Sequence, residues 1–309
     1  QNVGQTTSPK LDKTGVILST IGFGGLLYGF SDAGTDGWGS ATVITCLIVG
    51  VIALALFVWR ELKAETPLLE FRIFRYNMYS LTTLINIIIT MALYSGMILL
   101  PIYLQTIRGF TPMESGLMLL PGAILMGIMS PITGIIFDKI GARWLSVVGL
   151  IITVITTWQF SQLTDSTTYT HMIITYTVRM LGMSMLSMPI VTAGLNQLPQ
   201  RLSSHGTAMS NTLRTVGGAL GMALFVSLMT NKTKSTITDT LMSGTVSLND
   251  KAAMLKLTQE ATISGVTHAF NIATWITVIA LVLAFFIKKT SPQPDFLKTE
   301  EVQPQQDNQ

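Results

Sequence analysis

Residues 80–105 read SLTTLINIIITMALYSGMILLPIYLQ, 26 residues without one Asp, Glu, Lys or Arg. A helix needs about 20 predominantly apolar residues to cross the hydrocarbon core of a bilayer, so this run is long enough to span it. Seven other runs qualify, near 14–31, 40–59, 113–137, 144–162, 171–194, 205–229 and 268–287. Backbone polar groups in lipid must be satisfied within the segment, which selects helices over isolated strands. The expectation is an all-α integral membrane protein with eight transmembrane helices.

Composition agrees. Of 309 residues, 49% are hydrophobic and only 11% charged. Soluble domains carry about 25% charged residues, enough to cover a globular surface. The net charge of +3 forms no basic face, and no nucleic-acid-binding motif is present. Cys46 is the single cysteine, which rules out an internal disulfide and a cysteine metal cage. No His/Glu cluster has metal spacing, no GxxxxGK[ST] loop occurs, and no Ser/His/Asp set is recognisable. His171, His205 and His268 are isolated near segment ends. The chain reads as neither an enzyme nor a nucleotide hydrolase.

Positive residues orient the helices. One side would hold Lys10, Lys13, Arg60, Lys63, Arg72, Arg75, Lys139, Arg143, Arg201, Lys288, Lys289 and Lys298; the other holds Arg108, Lys232, Lys234, Lys251 and Lys256. That asymmetry, twelve against five, places both chain ends in the cytoplasm. Trp38, Trp59, Trp144 and Trp158 fall near segment ends, where interfacial aromatics belong.

The remaining stretches divide the chain. Residues 1–13 form a cytoplasmic lead-in and 60–79 a connector mixing apolar and basic residues, suited to the membrane surface. Residues 230–267, rich in Thr and Ser, read as a long outer loop, with a short surface helix near 250–261 capped by Asn249 or Asp250. The tail 291–309 is rich in Pro, Gln and acid and is expected to be disordered.

Few residues within the apolar segments are chemically informative. Arg179 and Arg214 each lie about ten residues into their segments, hence about 15 Å from either surface. A central arginine costs at least about 2.5 kcal/mol and must face protein or water. Each either bonds helix carbonyls and polar neighbours or takes part in substrate or conformational coupling. No Asp or Glu lies deep in any segment; Glu114 and Asp138 sit at opposite ends of the fourth. Asn86, Tyr94 and Asn271 are polar residues inside apolar helices and are candidates for lining a cavity, or equally for facing a neighbouring helix. The fourth segment carries Gly116, Pro121, Gly122, Gly127, Pro131 and Gly134, which suits either close packing or a moving, cavity-lining helix. Gly25 with Gly29, and Gly217 with Gly221, have the spacing of close helix contacts.

The sharpest local pattern is Gly134-Ile-Ile-Phe-Asp138-Lys139-Ile-Gly141-Ala142-Arg143, a tight cytoplasmic turn. Gly141 can supply the positive φ such a turn needs. Asp138 is placed to pair with Lys139 or Arg143, or with the positive start of a helix, as a charged latch. The bland alternative is a positively charged loop.

This stretch resembles the loop signature GxxxD[RK]xG[RK][RK] of the major facilitator superfamily, with Gly134, Asp138, Lys139, Gly141 and Arg143 matching and Ala142 departing. More specifically, the chain resembles the fourteen-helix drug:proton antiporters that include lincomycin-resistance exporters. That likeness runs through LDKTGVILSTIGFGGLLYGFS (11–31), PLLEFRIFR (67–75), LPIYLQTIRGFTPMESGLMLLPGAI (100–124) and HGTAMSNTLRTVGGALGMALF (205–225).

The resemblance implies two extra central helices (14–59) followed by a six-helix C-terminal bundle (80–290), with the N-terminal bundle of the same transporter as a missing partner. It implies multidrug efflux and antibiotic resistance in a bacterial plasma membrane. The cargo would be a small amphipathic compound, the lipid bilayer the medium, and the proton gradient the energy source, with no cofactor. In that family the proton-carrying acids lie largely in the other half, and Arg179 with Gly182 is a weak counterpart of an RxxxG-type motif. A metabolite carrier of the same superfamily, or a non-transporting membrane sensor or scaffold, are the alternatives.

Overall fold

The computed structural model describes residues 12–33, 36–63, 70–244 and 250–288. Eight helices in it are long and apolar enough to cross a membrane. They are α1 (Lys13–Ala33), α2 (Ala41–Lys63), α3 (Asn77–Arg108), α4 (Pro112–Ile140), α5 (Ala142–Phe160), α6 (Tyr169–Leu195), α7 (Ser203–Met242) and α8 (Lys251–Ala284). The described residues contain no strand. The lead-in before residue 12 and the tail 291–309 lie outside the described residues.

The long outer loop expected over 230–267 is mostly helix. α7 continues to Met242, and α8 already begins at Lys251. The Thr-rich composition suggested a loop because Thr hydroxyls compete for backbone groups. Here they bond within the helix instead: Thr236 to the Lys232 carbonyl and Thr240 to that of Thr236, at 2.9 and 2.8 Å. The expected cap is present, since the Asp250 carboxylate accepts from the Ala252 and Ala253 amides, but the helix it starts is α8 itself. The two extensions also pack together: Gly265 lies so close to Thr233 and the Met229 carbonyl that a side chain there would overlap them. Forty residues of α7 make about 60 Å of helix, twice a hydrocarbon core of about 30 Å, so its far turns stand clear of the membrane.

The connector expected over 60–79 is shorter. α2 runs through Lys63, a 3-10 turn spans Phe71–Arg75, and α3 starts at Asn77. Phe57 of α2 meets Phe71 edge to face at 5.9 Å, and Arg72 donates to the Leu62 carbonyl at 3.2 Å. These contacts tie α2 to the turn that precedes α3. At the outer end the Trp38 indole donates to Ser227 Oγ of α7 at 2.7 Å.

Glycines set the closest approaches. Gly25 abuts Gly50 and the Cys46 carbonyl, joining α1 to α2; Gly217 and Gly221 lie against Ile87 and Met91, joining α7 to α3. Both sequence pairs therefore work as small-residue contacts. In α4 the glycines divide: Gly122 packs against Tyr176 and Met180 of α6, whereas Gly116 and Gly127 face open space. Thr111 and Glu114 form a capping box, with Pro112 in the first turn, and this sets where α4 begins.

The core of the bundle is built around α3, which packs on α4, α6, α7 and α8. Leu99, Leu100, Tyr103, Met172, Phe225 and Phe270 fill its outer half, and Ile85, Ile89, Leu150, Leu186 and Ile190 its inner half. A cluster of Ile73, Tyr76, Tyr79, Leu198 and Leu202 closes the end at which α3 begins. There the Gln197 side chain accepts from the Met78 and Tyr79 amides at 2.7 and 3.2 Å, capping α3.

Exposed faces differ in chemistry. On α5 the exposed stripe is Trp144, Val148, Ile151, Ile155 and Trp158, apolar throughout with an indole at each end. That is a lipid-facing stripe between two interfaces. On α7 the exposed stripe over the first four turns is Ser204, Thr207, Ala208, Asn211, Arg214 and Thr215, polar but for one alanine. A polar face at that depth is unsuited to lipid and belongs against protein or water.

Candidate functional site

Arg214 lies on the polar stripe of α7 and is exposed. It lines a cavity of about 280 Å³ with Asn86, Thr90, Leu93 and Tyr94 of α3, Met126 of α4, Met183 and Ser187 of α6, and Thr215. Tyr94 reaches this position because Gly218 offers no side chain; an added Cβ would sit 2.7 Å from its ring. The guanidinium makes no hydrogen bond or ion pair among the described residues. The cavity thus offers a five-donor cation, amide and hydroxyl groups, and methionine sulfurs that adapt to varied shapes.

Asn86, Tyr94 and Arg214 are brought together as cavity lining, but Asn271 is not. It sits on the outward face of α8, in line with the exposed Trp275, Ile279 and Val282. The cavity faces α3, α4, α6 and α7, so a polar residue on the far side of α8 cannot reach it. Sequence reading also missed Thr90, Met126, Met183 and Ser187. Nothing distinguishes those residues from ordinary core until the helices are placed side by side.

Arg179 has the opposite environment. It is fully buried, with relative exposure of 0%. Its guanidinium donates to the Ala92 carbonyl and to Ser95 Oγ, the latter at 3.2 Å. Gly96 completes the slot, because any side chain there would overlap the guanidinium. Nε and the second terminal nitrogen have no hydrogen-bond partner. Three residues on, Gly182 lies against Gly149, each within van der Waals overlap of the other's carbonyl if a Cβ were added. α6 is therefore clamped between α3 and α5, and Arg179 bonds a helix carbonyl.

The signature loop is a sharp reversal between α4 and α5. Gly141 takes φ 85°, as expected, and its amide donates to the Phe137 carbonyl at 2.8 Å. The expected pairing of Asp138 with Lys139 or Arg143 is not made: Asp138 forms no ion pair among the described residues. It lies in the last turn of α4, whose carbonyl end repels a carboxylate rather than holding it. Arg143 instead lies over the Trp144 ring at 5.8 Å. Gly134 has only Met188 Sδ near its α-carbon, at 3.9 Å from an added Cβ. The loop residues border a recess of about 570 Å³ that also reaches Trp144, Ala193, Asn196, Ile287 and Lys288.

Within the described helices, acids stay near the ends. Asp32 and Glu61 occupy the last turns of α1 and α2, while Asp239 and Glu260 stand on the outer extensions. Glu61, expected outside the helices, is helical and buried. Asp12, ahead of α1, binds Arg60 through two hydrogen bonds of 2.8 and 2.9 Å. That guanidinium holds the Asp12 carboxyl down at about 2. No group of three or more potential metal ligands occurs among the described residues.

The chain resembles several known proteins. It is 55% identical over 233 residues to an uncharacterised MFS-type transporter of Bacillus subtilis, YhcA, covering 75% of this chain and 44% of that protein. It is 44% identical to the lincomycin resistance protein LmrB of the same organism, over 94% of this chain and 59% of that one. The chain thus spans about half the length of these relatives. A bacterial homologue of the human lysosomal transporter Spinster, in an inward-facing and occupied conformation, shares the fold with a TM-score of 0.59 at 17% identity. That match covers 91% of this chain and 67% of the Spinster homologue. Residues 14–222 match the sequence profile of the Major Facilitator Superfamily. With eight membrane-length helices and transporters for relatives, this chain belongs to the Major Facilitator Superfamily.

Proposed function

We propose that this chain is the C-terminal part of a proton-coupled exporter of drugs or toxic amphipathic compounds, working by alternating access in a bacterial plasma membrane. The observation that carries the reading is Arg214: an exposed cation about three turns into α7, on a largely polar helical stripe, lining a cavity with Asn86 and Tyr94. A charge at that depth is retained against a cost of at least about 2.5 kcal/mol, which marks substrate and ion pathways. The polar stripe is the surface that a second helical bundle would cover, placing the substrate at mid-membrane between two halves. The names of the relatives support the cargo: one is a lincomycin resistance protein, and another, 24% identical, is a tetracenomycin C resistance and export protein of Streptomyces glaucescens. Both chain ends are assigned to the cytoplasm by the distribution of Lys and Arg. The proton gradient is the proposed energy source. Its carrier lies outside the mid-depth turns of the described helices, which hold no carboxylate.

The test is drug accumulation in efflux-deficient cells, using a lincosamide and a cationic dye. The chain would be expressed alone and as the C-terminal part of a transporter of its relatives' full length. The expected result is lower accumulation with the full-length protein only, abolished by a protonophore and by Arg214→Ala. No effect from either protein, with both shown to be in the membrane, would move the assignment to a metabolite carrier or a sensor.

A further inference from the structure

We propose that the recess beside the α4–α5 reversal binds a phosphate anion, that of the headgroup of an anionic phospholipid in the inner leaflet. The recess has a volume of about 570 Å³. Three cations border it, Lys139, Arg143 and Lys288, and one carboxylate, Asp138. None of the four makes an ion pair among the described residues, so two positive charges stand in excess. The cations come from three elements, α4, α5 and the turn after α8, and converge on one space with the Asn196 amide. An arginine and two lysines around a recess suit a phosphate, which takes paired N–H donors from the guanidinium and point charges from the ammonium groups.

Position selects a lipid. Trp144 lines this recess and is also the first member of the apolar stripe on α5. An indole at the end of a lipid-facing stripe marks the headgroup level. The same residue therefore borders the acyl-chain surface and the basic recess. Ile140, more than half exposed, lies beside it. A phospholipid with its chains along Val148 and Ile151 has its phosphate at the height of Arg143. The Lys/Arg distribution puts this end on the cytoplasmic side, where anionic lipids are abundant and basic recesses between helices hold their headgroups.

The proposal concerns a surface distinct from the Arg214 cavity and stands whatever the cargo. Its test is lipid titration of the detergent-purified chain followed by native mass spectrometry, with dioleoylphosphatidylglycerol as probe and dioleoylphosphatidylcholine as reference. We expect one phosphatidylglycerol held in preference to phosphatidylcholine. The Lys139→Gln/Arg143→Gln/Lys288→Gln protein should bind it about a hundred-fold more weakly, since each cation near an anionic headgroup contributes roughly a factor of five. A protein with Lys10, Lys13 and Lys63 changed to Gln, which removes as many cytoplasmic charges elsewhere, should bind as the parent does. Equal loss in both variants would mean diffuse surface attraction and overturn the site. Displacement of the lipid by millimolar glycerol 3-phosphate would assign the recess to a soluble phosphate ester and overturn the lipid. Unchanged thermal unfolding of the triple variant confirms that the loss is not misfolding; if it unfolds early, the single variants decide, Arg143→Gln losing about five-fold and Arg143→Lys, which keeps the charge, losing less.

Discussion

Gly96 of α3 leaves the space that the Arg179 guanidinium of α6 fills, and the carbonyl of Ala92 and hydroxyl of Ser95 in the same turn receive its hydrogen bonds. The pair shows how a fully buried arginine is accommodated: the slot is one residue wide, and two acceptors in it serve one terminal nitrogen. Gly96→Ala should expel the guanidinium, combining overpacking with the loss of charged hydrogen bonds, at about 3 kcal/mol. Thermal unfolding in detergent should show a large drop for Gly96→Ala and little further loss when Arg179→Met is added. Additive losses would break the link between the two residues.

Arg214 is predicted to behave in the reverse way. It packs little within this chain and is exposed at mid-depth. Arg214→Leu should therefore make insertion of α7 more favourable by about 3 kcal/mol while removing transport in the full-length protein. A translocon insertion assay on the isolated α7 segment measures the first effect. An unfavourable change would contradict the placement of Arg214 within the spanning part of α7.

The outer hairpin offers a packing test. Gly265 meets Thr233 and the Met229 carbonyl, so Gly265→Val should prise α8 from the α7 extension at a cost of about 2 kcal/mol. Hydrogen exchange should accelerate over residues 230–242 and stay unchanged in α5. Unaltered protection of that stretch would mean the extensions do not rely on this contact.

The Asp12–Arg60 pair sets a pH expectation. The folded carboxyl sits at about 2, below its ordinary value. A lowered folded value contributes stability above the unfolded pKa, and that contribution is lost as pH falls through the folded one. The unfolding difference between the parent and Asp12→Asn should be flat from about pH 8 to about pH 5 and shrink toward about pH 2. A difference that instead changes near neutrality would assign the pH dependence to another group.

The order and number of membrane helices were legible in the sequence because a spanning helix is decided by its own length and apolarity, which solvent imposes segment by segment. The turn at Gly141 was equally legible, since a tight reversal needs a residue that accepts positive φ. Asp138 was misjudged because sequence proximity does not make an ion pair: it sits at the carbonyl end of α4, and Arg143 lies over the Trp144 ring instead. The stretch 230–267 was misjudged because Thr and Ser report a competition between loop and helix that packing against a neighbour decides.

The sequence by itself determined that this chain carries eight membrane-length helices and that two arginines lie about ten residues into apolar segments. Only the tertiary structure decided what those arginines do. Arg179 and Arg214 look alike along the chain, yet one is enclosed by α3 and the other stands on an open polar face. The reason is physical: depth in the membrane follows from position along a helix, but the direction a side chain faces has meaning only once a second helix is, or is not, beside it.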